Sequence, residues 1–331
     1  MRTVRVGVDA MGGDRAPHAI VEGARDVASD TVQPYLYGPR EILAPVAGDL
    51  AVRHAPAVVG MDDKPADAAR EKRESSLFAA CRGVGAGDTD VALSAGNTGA
   101  MLAAALLEIG RLPGVARPSI AVPIPGRNGP FVLIDAGANA DARPEHLVQF
   151  AHMGSIFAEE IVGVTDPSVG LLSIGEEPEK GNRLTREAHA LLAAERRIRF
   201  VGNLESRLLL EGPADVVVTD GFVGNMVLKM LEGTIRTTLE IVREEITASG
   251  RGKAGGLLIR PAARRVQRRF DPDIHGGAYL LGLNGLVVIA HGNSTPRAVA
   301  NAIKLGVRGV RANVVERLSE RLPASVPAAT S

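Results

Sequence analysis

Short apolar runs alternate along this chain with longer stretches whose apolar positions recur at helical spacing. Strands are predicted near 3–9, 34–37, 51–54, 90–94, 119–124, 131–135, 169–174, 198–201, 215–219 and 286–290. Helices are predicted near 17–29, 75–85, 98–110, 144–162, 182–195, 204–211, 223–248 and 296–320. Strand following helix in this way argues for an α/β fold, a largely parallel sheet with helices on both faces. No internal repeat is visible, and 111–118 reads as a hinge or crossover. The 331 residues suffice for one α/β catalytic domain over 1–322, or two intimate lobes, with an arm about 250–270. The small, Pro-containing segment 323–331 reads as a flexible tail.

The segments that follow the strand-like runs resemble one another. Ser94-Ala95-Gly96-Asn97-Thr98-Gly99 lies between the apolar run 91–93 and the Ala/Leu-rich stretch 100–109. Its glycines allow backbone angles that other residues resist, and Asn97 or Thr98 can cap the new helix. Such a turn gathers N–H groups around a small space and suits an anion. Asp9-Ala10-Met11-Gly12-Gly13-Asp14, Asp135-Ala136-Gly137-Ala138-Asn139, Ser173-Ile174-Gly175, Gly202-Asn203, Asp220-Gly221-Phe222-Val223-Gly224-Asn225 and His291-Gly292-Asn293 stand in equivalent places. In an open α/β sheet these exits are expected along one edge, forming one large polar site.

Composition narrows the chemistry. Thirty-eight basic residues balance 38 acidic ones, aromatics are 3% and Trp is absent, so a nucleic-acid surface is not expected. The single Cys81 excludes an internal disulfide and reads as a core residue. The chain enters a strand without a signal sequence and has no membrane-length apolar run, which predicts a cytoplasmic protein. Charge is uneven: 251–269 carries seven basic side chains and no acid, just after and around Leu257, Leu258 and Ile259. This arm is either a solvated loop whose apolar residues cover a neighbour, or a contact for an acidic protein or an anionic membrane.

Asp9, Asp14 and Asp135 at strand ends are either carboxylate ligands for a hard cation or turn and helix caps, and the capping reading is preferred. The seven His residues lack zinc-ligand spacing; His275 and His291 stand out because each adjoins a glycine turn. Gly7-x-Asp9 and its surroundings lack the Gly-x-Gly-x-x-Gly spacing, and Walker-type and Gly-x-Ser-x-Gly motifs are missing, so a nucleotide cofactor and a serine nucleophile are both unsupported. Lys180, beyond a strand, either pairs with nearby acids or supplies the positive charge of a phosphate pocket.

Taken in order, Val8-Asp9-Ala10-Met11-Gly12-Gly13-Asp14, the 94–100 turn, 135–139, Gln149-Phe150-Ala151-His152-Met153-Gly154, Ile174-Gly175-Glu176-Glu177 with Lys180-Gly181, 220–225 and Gly276-Gly277-Ala278-Tyr279-Leu280-Leu281-Gly282 resemble the bacterial phosphate acyltransferases of the PlsX family. The resemblance implies transfer of a long fatty acyl chain from acyl carrier protein to inorganic phosphate, giving an acyl phosphate for glycerol 3-phosphate acylation. It also implies a fold similar to phosphotransacetylases and isocitrate/isopropylmalate dehydrogenases, a homodimer, peripheral contact with the inner face of the membrane and a downstream glycerol-phosphate acyltransferase as neighbour. Phosphate attacking a thioester needs no enzyme nucleophile and no cofactor, only positioning and oxyanion stabilisation. On that chemistry Ser94, Gly96, Asn97, Thr98 and Gly99, with Gly224 and Asn225, are expected to cradle phosphate, while Asn139 or Lys180 contacts the carbonyl oxygen or departing sulfur. Arg264, Arg265, Arg268 and Arg269 with the 257–259 apolar run are expected to meet the carrier or membrane. The rivals are a short-chain phosphotransacetylase using acyl-CoA, an NAD-dependent hydroxy-acid dehydrogenase of the same architecture and a non-catalytic membrane scaffold.

Overall fold

In the computed structural model of the protein, residues 2–323 are described, except for the side chains of Pro272 and His275. The His275 side chain and the rest of the expected tail lie outside the described residues. The elements in chain order are β1 (Val4–Asp9), α1 (His18–Arg25), β2 (Val32–Gly38), α2 (Arg40–Ala47), β3 (Ala51–His54), α3 (Pro65–Glu71), α4 (Ser76–Gly85), β4 (Val91–Ser94), α5 (Thr98–Glu108), β5 (Ser119–Gly126), β6 (Gly129–Ile134), α6 (Pro144–Phe157), β7 (Ser168–Ser173), α7 (Arg183–Ala194), β8 (Arg199–Glu205), β9 (Val216–Val218), α8 (Gly221–Thr247), α9 (Gly250–Arg269), α10 (Pro272–His275), β10 (Ala278–Leu281), β11 (Leu286–Ile289), α11 (Pro296–Arg311) and α12 (Val314–Arg321). A π-helical turn at Ala158–Val162 extends α6, and a 3-10 turn occupies Ser206–Glu211.

All strands join one sheet in the order β3-β2-β1-β4-β11-β10-β5-β6-β9-β7-β8. The β-branched strand residues are inside on both faces, as in β4 and β9, where every residue is buried. One core lies under α1, α6, α7, α11 and α12, and a second under α4, α5 and the start of α8. All ten expected strands are present. The four-residue β10 escaped the pattern because its buried AYLL run lies between glycines and lacks alternation. Four helices also escaped: α2, with Pro45 inside it, the short α3 and α10, and α9. The expected 296–320 helix is two, broken where Asn313 takes a positive φ of 51°.

The sheet corrects the expectation of one shared edge. Strands β5 and β6 form a hairpin whose tight Arg127-Asn128 turn joins Gly126 to Gly129, and β10 runs antiparallel to both neighbours. As a result β6, β9, β7 and β8 run against β1, β4 and β11. The glycine corners therefore form two groups on opposite edges. The central strands are so short, four residues or about 13 Å, that both groups approach the same sheet face.

The basic arm is a helix rather than a loop. Together α8 and α9 make a helical hairpin, with Gly252 and Gly256 against Ile246; no residue of α9 is buried. Leu257 and Leu258 are 68% and 84% exposed. Arg269 is not a free contact: its guanidinium donates to the carbonyls of Gly126 and Arg127 and ties the hairpin to the β5–β6 turn. No described helix is long and apolar enough to cross a membrane.

Candidate active site

A cavity of about 320 Å³ opens over the middle of the sheet, between the N-terminal ends of α5 and α8. Its floor is apolar. Ile120, Val122 and Ile124 project from alternate positions of β5, beside Ala278 of β10 and Ile289 of β11. One wall is a helical stripe of α8, Asn225, Leu228, Lys229, Glu232 and Ile235, and the opposite end is Gly96, Thr98 and Met61. Gly137, His291 and Gly292 complete the rim.

The first corner is built on a buried carboxylate. Asp9, 2% exposed at the end of β1, accepts a 2.7 Å hydrogen bond from Ser94 Oγ and one from the Met11 amide. Ser94 Oγ in turn accepts the Gly96 amide at 3.0 Å. Gly12 lies directly over this arrangement: a Cβ there would stand 2.5 Å from Asp9 Oδ2 and 2.8 Å from the Gly96 amide. The Asp14 amide donates to Gly292 O, and Gly13, at φ +101°, approaches the same carbonyl. The exits of β1, β4 and β11 are thus one unit. Burial pushes the Asp9 carboxyl above the usual carboxylate range, against the hydroxyl and amide donors that lower it.

Of the expected phosphate cradle, Gly96 and Thr98 face the cavity. Ser94 lies beneath it, engaged with Asp9, while Asn97 Nδ2 donates to Met61 O and Asp63 O and a Cβ on Gly99 would meet Pro65 at 2.5 Å. The Asn97 side chain and the Cα face of Gly99 are therefore turned to the 61–65 segment. Asn97 Oδ1 caps only the Ala100 amide, leaving the amides of Thr98 and Gly99 outside the cap.

The second corner is closed. Asp135, wholly buried and at φ +49°, accepts from the amides of Gly137, Ala138 and Asn139 and from Asn139 Nδ2. The other hydrogen of Nδ2 goes to Pro118 O at 2.7 Å, so the Asn139 amide has no donor left for a substrate. Burial raises the Asp135 carboxyl as well. The first four amides of α8 are all taken: Gly221 by Asn139 O, Phe222 and Val223 by Asp220 Oδ1, and Gly224 by Asp220 O. A Cβ on Gly224 would stand 2.0 Å from Asp135 O. Gly224 is there to let the helix start close to the corner, not to bind phosphate. Asn225 alone of that trio reaches the cavity. Lys180 lies past β7, two strands beyond β6, and does not line it.

The sequence reading missed a charged cluster. Lys229 Nζ lies 3.1 Å and His291 Nε2 3.3 Å from the Glu232 carboxylate, all three on the cavity. Lys229 sits among Val227, Leu228 and Met230 and looks like a solvated helix position; only the three-residue spacing to Glu232 hinted at more. Burial holds His291 below the usual imidazole range, partly offset by Glu232. Cys81 is buried against Met101 in the core, and burial pushes its thiol up. The arrangement offers an apolar slot, one helix N-terminus with amides outside its cap, and a lysine on the same cavity.

Comparisons with known proteins agree with this chemistry. The family profile described as "Fatty acid synthesis protein" matches residues 4–317. The chain is 43% identical over 328 residues to a phosphate acyltransferase of Desulfitobacterium hafniense, covering 97% of this chain and 98% of that one. It is 42% identical to the phosphate acyltransferase of Heliobacterium modesticaldum, covering 98% and 99%. Among solved structures, the EutD phosphotransacetylase of Staphylococcus aureus superposes with a TM-score of 0.59 at 18% identity, covering 94% of each chain. A phosphotransacetylase of Streptococcus pyogenes gives the same TM-score at 17% identity, covering 95% and 94%. These two share the fold. The chain belongs to the phosphate acyltransferase family of fatty acid synthesis proteins, enzymes that transfer acyl groups to phosphate.

Proposed function

We propose that this enzyme moves a long-chain fatty acyl group from acyl carrier protein to inorganic phosphate, for use in phospholipid synthesis. The observation that carries this reading is the joining, in one cavity, of an apolar floor from β5, β10 and β11 to the open N-terminus of α5. The floor suits an aliphatic chain; the amides of Thr98 and Gly99, the Thr98 hydroxyl and Lys229 suit a phosphate dianion. A phosphate oxygen attacks the thioester carbonyl, the C–S bond breaks and sulfur leaves with its electron pair. Positioning of this kind supplies on the order of 7–11 kcal/mol. Asn225, which lines the same cavity, is assigned the contact with the carbonyl oxygen.

The α8–α9 hairpin, with exposed Leu257, Leu258 and Ile259 beside Arg264, Arg265 and Arg268, supports contact with the acidic carrier, with a second copy of the chain or with an anionic membrane where a glycerol-phosphate acyltransferase would take the product. The test is incubation of purified protein with palmitoyl carrier protein and phosphate, trapping acyl phosphate as its hydroxamate, with acetyl-CoA in parallel. Palmitoyl hydroxamate from the carrier and little acetyl hydroxamate is the expected result. The reverse preference would make the enzyme a short-chain phosphotransacetylase.

A further inference from the structure

The transfer has a proton to place. When monohydrogen phosphate attacks a thioester, its O–H proton must leave the phosphate and the departing thiolate must gain one. A single group beside both can carry it across. His291 stands at the phosphate end of the cavity: the Ala290 amide donates to Ser94 O at 2.9 Å, and Gly292 O accepts from Asp14, so the residues on either side of His291 are tied to the glycine corners. Its Nε2 is 3.3 Å from Glu232 Oε1. A carboxylate on Nε2 favours the tautomer protonated there and leaves the lone pair on Nδ1. Lys229, 3.1 Å from the same carboxylate, holds Glu232 in place.

We propose that His291 is the proton shuttle of the acyl transfer: it takes the phosphate hydroxyl proton as the O–C bond forms and returns it to sulfur as the C–S bond breaks, with Glu232 as its positioning residue. The balance closes, thioester plus monohydrogen phosphate giving acyl phosphate dianion plus thiol, with no co-reactant. This inference rests on the transfer reading above. The charged groups facing His291 are Glu232 and Lys229 of α8 and Asp273 of α10, with the Asp14 carboxylate near Gly292.

The test compares His291→Gln with wild type on two thioesters of one acyl chain: the carrier thioester, and an aryl thioester whose thiolate leaves without protonation. His291→Gln should lower kcat on the carrier thioester roughly 100- to 1,000-fold and far less on the aryl thioester. Glu232→Gln should move the acid limb of kcat to lower pH, because the carboxylate raises the imidazole pKa and phosphate ionisation is common to both enzymes. Equal losses on both thioesters, or an unmoved limb in Glu232→Gln, assign these residues a structural role and overturn the inference. An active wild type with an indifferent His291→Gln overturns it alone, whereas a wild type that makes no acyl phosphate brings down the transfer reading too.

Discussion

Two helices begin at this cavity, and they begin differently. At α8 every one of the first four amides already has an acceptor, and the corner behind it is locked by a buried carboxylate with four donors. At α5 the cap takes the third amide and leaves the first two. Both ends carry the positive pole of a helix dipole, yet only one has donors free for an anion. A glycine-rich turn after a strand is therefore not sufficient for phosphate binding. What decides is whether the chain satisfies its own amides.

Breaking the closed end should cost most. Asp135→Ala leaves four donors without that acceptor, the two on Asn139 being buried, and at about 1–3 kcal/mol for each stranded buried group the loss should be about 2–6 kcal/mol, seen as a fall in urea midpoint and in folded yield. Breaking the open end should leave the protein folded and inactive. Gly96 has 3.2 Å to Ser94 Oγ and 3.3 Å to Gly12 Cα for a new Cβ, tight but not backbone-crushing, so Gly96→Val fills the mouth of the cavity. The expected kcat/KM for phosphate drops more than about 100-fold, by analogy with loss of one oxyanion donor, while the circular dichroism spectrum is retained. Lys229→Gln should raise the phosphate KM about 10-fold, equivalent to about 1.4 kcal/mol, and the gap to wild type should narrow in high salt.

How far the sequence carries can be read from these same residues. The strand-end aspartates were legible as caps, and Asp9 and Asp135 do order turns, because Asp beside Gly at a strand exit has few other uses. The direction of the strands was not, since reversal rests on the tight Arg127-Asn128-Gly129 turn, whose Asn-Gly step is a hairpin signal. Gly224 and Gly96 look alike in sequence; only the packing of α8 against Asp135 O separates a glycine that admits a helix from one that faces a ligand. Nor could spacing pair Glu232 with His291, 59 positions on, since β10 and β11 bring them together. The α9 helix was hidden by Gly252, Gly255, Gly256 and Pro261, poor helix formers that are tolerated here because the small residues let α9 pack on Ile246.

Smaller effects refine the contrast. Asp9 has its folded pKa raised by burial, so the folded state binds that proton more tightly than the unfolded chain. Its ionisation costs nothing below the unfolded pKa of about 3.9 and destabilises progressively up to the folded pKa. Measured against Asp9→Asn, wild-type stability should therefore fall with rising pH across that window, by at most about 1.4 kcal/mol per pH unit. Cys81→Ala, remote from the cavity, should leave acyl phosphate formation within about twofold and cost only a small core cavity, on the order of 1 kcal/mol.

The central claim is that phosphate binds at the start of α5 with the acyl chain over β5, β10 and β11. It is met most directly by a crystal structure with orthophosphate and a non-cleavable long-chain acyl ketone analogue. Phosphate is expected within hydrogen-bond distance of the Thr98 and Gly99 amides, and the chain against Ile120, Val122 and Ile289. Phosphate at the start of α8 or beside Lys180, with the cavity empty of chain, would contradict it.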